Sequence, residues 1–170
     1  CNIIIILNIV IVESPGKIKK IKYILGDDYT IAASCGHVMD LPVSTIGINL
    51  NTMEPIYQQN KKTISKLKKI IKNAKNIYVA SDDDREGEFI GYSLVQSLHL
   101  KKYKRIVFHE ITKSAILKAF EHQRQLNMDL IYAQQCRRII DRLLGYKISP
   151  ILKKHLVSNN IIEKYKKIGC

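Results

Sequence analysis

Acidic residues are scarce in this 170-residue chain, which has 15 Asp and Glu against 28 Lys and Arg and a formal net charge of +13. A strongly basic chain without a membrane signature usually binds polyanions, and nucleic acid is the first candidate. Hydrophobic residues make up 46% of the sequence, so a folded core is expected and wholesale disorder is disfavoured. The length suits one domain, or one domain and part of another.

Cysteine and long apolar runs are also rare. The four cysteines, at positions 1, 35, 136 and 170, show no CxxC spacing, which argues against a zinc site and favours reduced thiols in an intracellular protein. The opening apolar run, Ile3–Val12, is too short to span a bilayer and lacks the features of a signal peptide. No phosphate-binding loop of the GxxxxGK(S/T) type is present, so ATP hydrolysis is not supported.

The few acids are concentrated, because five of the fifteen lie in the segment 82–88, which reads DDDREGE. Crowded carboxylates raise one another's pKa unless a cation holds them together, and Mg²⁺ prefers such oxygen ligands. The run follows an apolar segment, residues 76–81, and open α/β sheets place their sites at the carboxyl ends of buried strands. The alternative is a solvated acidic loop that caps a helix beginning near Glu86.

Apolar runs and helical patterns alternate along the first two thirds of the chain. The predicted strands are Ile3–Val12, Tyr29–Ser34, Ile77–Ala80 and Arg105–His109. Helices are predicted after Ser14 as N-cap, over the lysine-rich segment 61–75 and at Glu86–Leu98. This order predicts an α/β fold, a parallel sheet with helices on both faces.

Beyond Thr112 the pattern becomes helical. Helices are expected to about His122 and from Asn127 to about Leu144, with Gly145 and Pro150 marking the end of the second helix. We therefore expect a domain boundary near residue 125, where an α/β domain gives way to an all-helical segment.

Strand ends from separate βα units meet at one edge of a parallel sheet, so Glu13 is expected to lie near Asp82. A carboxylate buried there would have a raised pKa, as a general acid or base requires. Lys17, one helical turn beyond Glu13, can neutralise a phosphate or an oxyanion. Asp82, Asp84 and Glu86 alternate along the backbone, so two of them can hold one Mg²⁺ together with DNA phosphate oxygens.

The later helix carries a second candidate site. Arg138, Arg142 and Tyr146 recur at i, i+4 and i+8, which places them on one face. Two guanidinium groups and a phenol ring in line can clamp phosphate and stack a base of single-stranded DNA. Arg137 and Asp141 lie one turn apart, and a simple surface ion pair is the alternative for them.

Several motifs together resemble those of type IA DNA topoisomerases. Residues 12–17 read VESPGK and residues 81–88 read SDDDREGE, similar to the (V/I)ESPAK and (T/S)DxDREGE forms of their Toprim signature. Similar blocks are GH at 36–37, DLP at 40–42, FHEIT at 108–112, AQQCRRIIDRLLGY at 133–146 and SP at 149–150. A Glu with DxD occurs in all Toprim proteins, whereas DREGE and the AQQxRR helix are specific to type IA enzymes. Departures are Gly16 for Ala, Asp83 where Pro or another residue is common, and Cys136 for a small residue.

The resemblance implies a Toprim (Rossmann-like) domain at residues 1–125 and, at 126–170, the first helices of a truncated gate domain. It implies Mg²⁺-dependent, ATP-independent breakage, passage and rejoining of single strands, which relaxes negatively supercoiled DNA. The tyrosine nucleophile of the family lies in a later domain. We therefore expect the nucleophile outside this chain and the chain alone to be a fragment inactive in relaxation.

The resemblance also assigns residues and partners. It implies that the metal ligands are Glu13, Asp82, Asp84 and Glu86. It implies that the catalytic residues are Glu13, Lys17, Asp84, Arg85 and Glu86. It implies DNA contacts by His37, Arg137, Arg138, Asp141, Arg142 and Tyr146. The expected cofactor is Mg²⁺, and the expected partner is a single-stranded segment of negatively supercoiled DNA. The protein is expected to act as a monomer in the cytoplasm or nucleoid and not to bind a membrane.

Other interpretations stay open at the level of sequence. His37 is either a DNA contact or a turn histidine satisfied by backbone atoms. The lysine-rich helix face adds either non-specific attraction for DNA or simple solubility. The alternatives for the whole chain are a stand-alone DNA-binding module without catalysis and a Toprim nuclease or primase-like enzyme that acts without tyrosine.

Overall fold

The computed structural model describes residues 8–158, which form two compact units. Unit 1 comprises the described residues up to Asp40 together with Gln58–Gln134, and unit 2 comprises Leu41–Tyr57 and the described residues from Gln135 onward. Residues 3–7 of the predicted first strand, and Cys1 and Cys170, lie outside the described residues. No helix within the described range is long and apolar enough to cross a membrane.

The strands of unit 1 are β1 (Asn8–Val12), β2 (Tyr29–Ala33), β3 (Met39–Asp40), β4 (Gln58–Gln59), β5 (Asn76–Ala80) and β6 (Lys104–Arg105). Four of them form an all-parallel sheet with the order β2-β1-β5-β6. A separate antiparallel pair joins β3 to β4. The parallel α/β fold that the sequence predicts is confirmed.

Six α-helices accompany the strands along the described residues. They are α1 (Ile18–Leu25), α2 (Lys61–Ile71), α3 (Arg85–Leu98), α4 (Lys113–Glu121), α5 (Met128–Leu143) and α6 (Ser149–Ser158). Side chains at the N-caps satisfy backbone N–H groups that have no partner within the helix. Ser14 caps a short 3₁₀ turn before α1, Asn60 caps α2, and Thr112 caps α4.

The central strand β1 is buried on both faces, as its continuous β-branched sequence predicts. Ile9 and Ile11 face one side of the sheet and belong to a core cluster with residues of α2 and α3. Val10 and Val12 face the other side and belong to a cluster with residues of α1 and α4. Because both faces of the sheet are covered, a ligand can reach the sheet from solvent at the ends of its strands.

Two boundaries differ from the sequence expectation. The predicted strand Arg105–His109 pairs with the sheet only as β6 (Lys104–Arg105), although the Ile106 N–H still donates to the Val79 carbonyl at 3.0 Å. The helix predicted to end at Gly145 instead continues through a π-helical turn, Leu144–Ile148, into α6. Pro150 cannot donate a backbone hydrogen bond, and the wider π turn before it accommodates this break in the helical ladder.

Candidate functional site

The parallel register of β1 and β5 brings two acids of distant sequence together. Val12 pairs with Ala80 at the last position of both strands. The chain therefore leaves the sheet at Glu13 and at Ser81–Asp82 along one edge. The loop after β2 closes over the same edge, because the Gly36 N–H donates to the Glu13 carbonyl at 3.0 Å.

Lys17 lies between the two acids. Its Nζ is 2.5 Å from Asp82 Oδ1 and 3.4 Å from Glu13 Oε1. The 3₁₀ turn Pro15–Lys17, capped by Ser14, turns Lys17 back over the end of β1. The ammonium group thus supplies the cation that adjoining carboxylates need.

The pKa values of this trio are shifted in different directions. Burial raises the pKa of Glu13, and the adjacent Asp82 raises it further against the opposing effect of Lys17. Burial also acts to raise the pKa of Asp82, but hydrogen bonds from Lys17 and Glu13 outweigh it and lower that pKa. Burial lowers the pKa of Lys17, but its bonds to both acids outweigh burial and raise it. A proton shared by the two acids is therefore favoured on Glu13 over Asp82.

The remainder of the acidic segment begins α3. Asp84 is the N-cap of this helix, and its Oδ1 accepts from the Gly87 N–H at 2.6 Å. Ser81 Oγ donates to the Gly87 carbonyl at 2.6 Å. A Cβ atom at Gly87 would lie 2.2 Å from the Asp82 carbonyl oxygen, so only glycine fits there. Asp84 therefore caps a helix, as the alternative interpretation of the acidic segment proposed, and the same segment also carries the candidate site.

Glu86 and Arg85 lie on the exposed first turn of α3. Glu86 Oε1 is 3.2 Å from His37 Nε2, and the mostly buried His37 ring lies 5.6 Å from that of Phe89. Arg85 is exposed and makes no hydrogen bond or ion pair with a described residue. The predicted site residues His37 and Glu86 are thus neighbours, and Arg85 is accessible to a ligand.

Two clefts, each of about 490 Å³, open at this edge. The first is lined by Glu13, Ser14, Pro15, Cys35, Gly36, Asp82, Asp84, Glu86, Gly87 and Ile90. The second is lined by Lys17, Asp82, Asp83, Asp84, Phe108, His109, Glu110 and Ile111. All four predicted metal ligands therefore line the first cleft. Across residues 8–158, however, no three His, Cys, Asp or Glu side chains converge as a metal-binding group.

The physical reason is that each carboxylate already has a partner. Lys17 bridges Glu13 and Asp82. Asp84 is turned to the N-terminus of α3 and Glu86 to His37. Convergence on one ion would require the acids to exchange these partners for a metal.

A buried ion-pair network under the acidic segment was not predicted from the sequence. Arg105 and Glu88 are both fully buried and lie 2.8 Å apart. Arg105 also donates to the Ser81 carbonyl at 2.8 Å and to the Asp82 carbonyl at 3.0 Å. Arg105 thereby fixes the backbone that presents Asp82. The one sequence signal for it was an arginine at the start of a predicted strand.

Arg124 extends the network to the acid that departs from the usual motif. Its Nη2 pairs with Asp83 and lies 2.6 Å from Glu88 Oε1. The hydrogen bond from Arg124 lowers the pKa of Asp83. No local pattern in the sequence pointed to Arg124, which lies in the segment between α4 and α5.

The predicted DNA contacts of the later helix lie in unit 2. Arg142 Nη1 donates to the Pro42 carbonyl at 2.8 Å, and the Tyr146 hydroxyl donates to the Val43 carbonyl at 3.1 Å. The Arg142 guanidinium lies 5.5 Å from the centre of the Tyr146 ring. Arg137 and Asp141 form an exposed ion pair at 3.7 Å, the surface alternative considered for them. Arg138, on the same helix, is half-buried.

Comparisons with known proteins agree with this geometry. Residues 8–111 match the Toprim domain family. The chain is also similar to topoisomerase I from Thermotoga maritima, solved at full length, with 42% identity and a TM-score of 0.78. That match covers 85% of this chain and 26% of the other, so the chain spans about a quarter of that protein's length. Because the family match extends over more than half of the 170 residues, the chain belongs to the Toprim domain family.

Proposed function

We propose that this chain is part of a type IA DNA topoisomerase that relaxes negatively supercoiled DNA by breaking, passing and rejoining one strand without ATP. The observation that carries the proposal is the trio of Glu13, Lys17 and Asp82 at adjoining strand ends of a Toprim sheet. The 42% identity to a topoisomerase I supports the same assignment. The domain limits that accompany the proposal are residues 1–125 for the Toprim domain and 126–170 for the start of the gate domain.

The proposed roles follow from the environment of each side chain. Glu13 has a raised pKa and a position in the first cleft, so it is suited to exchange a proton with a DNA oxygen as general acid or base. Lys17 lines the second cleft and places a positive charge where a phosphate oxygen would lie. Arg85, exposed at the start of α3, contacts a neighbouring phosphate. The residues lining the two clefts include no tyrosine, and we place the attacking tyrosine outside this chain.

The donor set fits Mg²⁺ as cofactor. Carboxylate oxygens are the ligands that this ion prefers, and it is usually held by one or two carboxylates with phosphate oxygens and waters completing the shell. Glu13, Asp82 and Asp84 would hold it, with Glu86 in support at the rim of the same cleft. When bound, Mg²⁺ supplies positive charge that neutralises the carboxylates and the DNA phosphates. The ammonium of Lys17 adjoins Glu13 and Asp82 and balances part of the same negative charge.

The proposed partner is a single-stranded segment of DNA, bound by a monomer in the cytoplasm or nucleoid. The Arg142 guanidinium already lies over the Tyr146 ring, and such a pair can hold a base and its phosphate. Arg138 and the Arg137–Asp141 pair on the same helix, and His37 beside the acidic cleft, are the further proposed contacts. The bonds of Arg142 and Tyr146 to carbonyls 42–45 orient both side chains for this role.

The test is a calorimetric titration of Mg²⁺ into the chain, with and without a single-stranded oligonucleotide. We expect weak binding that strengthens when DNA is present, because phosphate is a co-ligand. Asp82→Asn combined with Asp84→Asn should abolish this binding. Asp27→Asn combined with Asp28→Asn removes the same charge from an exposed turn and should leave it unchanged.

Two results would contradict the proposal. Equal Mg²⁺ binding by both double variants would show that the acidic segment is not the Mg²⁺ site. Mg²⁺-dependent cutting of DNA by this chain alone, without a covalent protein–DNA link, would favour the nuclease alternative instead.

A further inference from the structure

The helix α2 carries a one-signed surface that the proposed function does not use. Its buried side chains Ile64 and Leu67 pack against the core of the sheet, while its exposed face is rich in lysine. Four exposed lysines, Lys61, Lys68, Lys69 and Lys72, line an open groove of about 430 Å³ together with Gln59, Ile64 and Ser65. We call this surface the lysine groove.

The lysines of this surface lie in a stretch of sequence without acidic residues. No acidic residue occurs in the sequence between Glu54 and Asp82. Within residues 8–158, none of the four groove lysines forms an ion pair, whereas Lys22 at the end of α1 lies 3.0 Å from Asp27. Lys68 and Lys72 are spaced i, i+4, and like charges at that spacing destabilise a helix. Solubilising surfaces usually carry charges of both signs, so a surface with lysines alone is suited to a polyanion.

The chemistry of the groove favours the backbone of duplex DNA. α2 has no aromatic residue, so it offers no platform on which unpaired bases could stack. Lysine ammonium groups act as point charges for phosphate rather than as readers of base edges. From Lys61 to Lys72 the helix rises about 16 Å, which matches about five base pairs of duplex at about 3.4 Å each.

We propose that the lysine groove is a second, sequence-independent binding surface that holds a duplex segment of DNA through its phosphates. The choice of DNA as the polyanion rests on the proposed function. The groove belongs to α2 of unit 1, and none of its lining residues lines either acidic cleft. The groove is therefore separate from the acidic clefts, and none of its lining residues belongs to unit 2.

The experiment compares two variants of equal net charge. The groove variant carries Lys61→Gln, Lys68→Gln, Lys69→Gln and Lys72→Gln. The control variant carries Lys20→Gln, Lys101→Gln, Lys102→Gln and Lys118→Gln, four other exposed lysines. Fluorescence anisotropy measures the affinity of each for a duplex oligonucleotide and for a single strand over a range of salt concentrations, and circular dichroism verifies folding.

We expect the groove variant to lose duplex affinity and to lower the slope of log K against log salt by about 3–4, since each phosphate contact contributes about 0.9. The control variant should change the slope by less than about one such contact. Restoring the four charges as Lys→Arg should restore the slope. Single-strand affinity should be nearly unchanged in the groove variant.

Equal duplex losses in both variants would overturn the proposal, because net charge alone would then explain binding. A groove variant that loses single-strand affinity as much as duplex affinity would also overturn it, by placing the groove on the single-strand path. A different measurement tests the proposed function. If that function is wrong, Arg138→Ala will leave single-strand binding unchanged, whatever the groove variant does to duplex binding.

Discussion

At the scale of residues, the candidate site depends on how the charges of its acids are balanced. Lys17 holds Glu13 and Asp82 together from above the strand ends. Arg105, fully buried, holds the Ser81 and Asp82 carbonyls from below. A buried charge of this kind is costly unless it is paired and hydrogen-bonded, and Glu88 supplies the pairing. The acidic segment is therefore fixed by Lys17 on one side and by Arg105 in the core, and Arg124 adds a third cation at Asp83.

The raised pKa of Glu13 makes stability depend on pH. A group whose folded-state pKa is raised stabilises the fold fully below its ordinary value, here 4.5, and loses that contribution as pH rises through the folded-state value. We expect the difference in unfolding free energy between the wild-type chain and Glu13→Gln to fall as pH rises from about 4 to about 8. Urea unfolding at a series of pH values in Mg²⁺-free buffer measures it. A difference that stays constant or grows with pH would contradict the assignment of the shared proton to Glu13.

At the scale of elements, one segment serves both as a helix start and as a site. Asp84 caps α3 through the Gly87 N–H while Asp82, two residues earlier, reaches the first strand end. The tight turn is possible because Gly87 approaches the Asp82 carbonyl more closely than any side chain permits. The same local geometry thus places a helix N-terminus and an acidic cleft at one point of the sheet.

This close approach predicts that alanine is harmful at Gly87 but tolerated at Gly16. Gly87→Ala should destabilise the fold by about 1–3 kcal/mol through overpacking, and should weaken Mg²⁺ binding by displacing Asp82. Gly16→Ala is the matched control, because its Cβ atom would lie 3.6 Å from Ser14 Oγ, an ordinary contact. Thermal unfolding and Mg²⁺ titration of both variants check this. A fully stable Gly87→Ala variant would mean that the segment can move away from α3 at little cost.

At the scale of the whole molecule, the proposed functions are divided between the units. The acidic clefts and the lysine groove belong to unit 1, and the Arg142–Tyr146 cation–π pair belongs to unit 2. The chain spans about a quarter of the length of the topoisomerase I that it resembles. We therefore expect this chain to bind DNA without cleaving it.

We expect the chain to bind single-stranded DNA but not to relax a negatively supercoiled plasmid, because the proposed nucleophile is a tyrosine outside it. Gel electrophoresis of the plasmid with Mg²⁺, together with denaturing gels for protein–DNA adducts, makes the measurement. Arg138→Ala should weaken single-strand binding and reduce its salt slope by about one phosphate contact. Relaxation or a covalent 5′ adduct formed by this chain alone would show that one of its own tyrosines attacks DNA.

Local sequence determined the parts of this protein that depend on neighbours along the chain. The β-branched run of β1 and the caps Ser14 and Asp84 follow from backbone and side-chain preferences within a few residues. The meeting of Glu13 with Asp82 was also predictable, because parallel strands end at a common edge.

Only the tertiary structure decided which charges pair across that edge. The positions of Lys17 between two acids and of Arg105 beneath them depend on side chains that approach from separate elements. The pairing of Arg124 with Asp83 likewise joins side chains from separate elements. The helix α5 also continues past Gly145, where a π turn replaces the helix end that glycine usually marks. Ion pairs and helix ends of this kind depend on packing at a distance, and no periodicity or spacing in a single sequence encodes that distance.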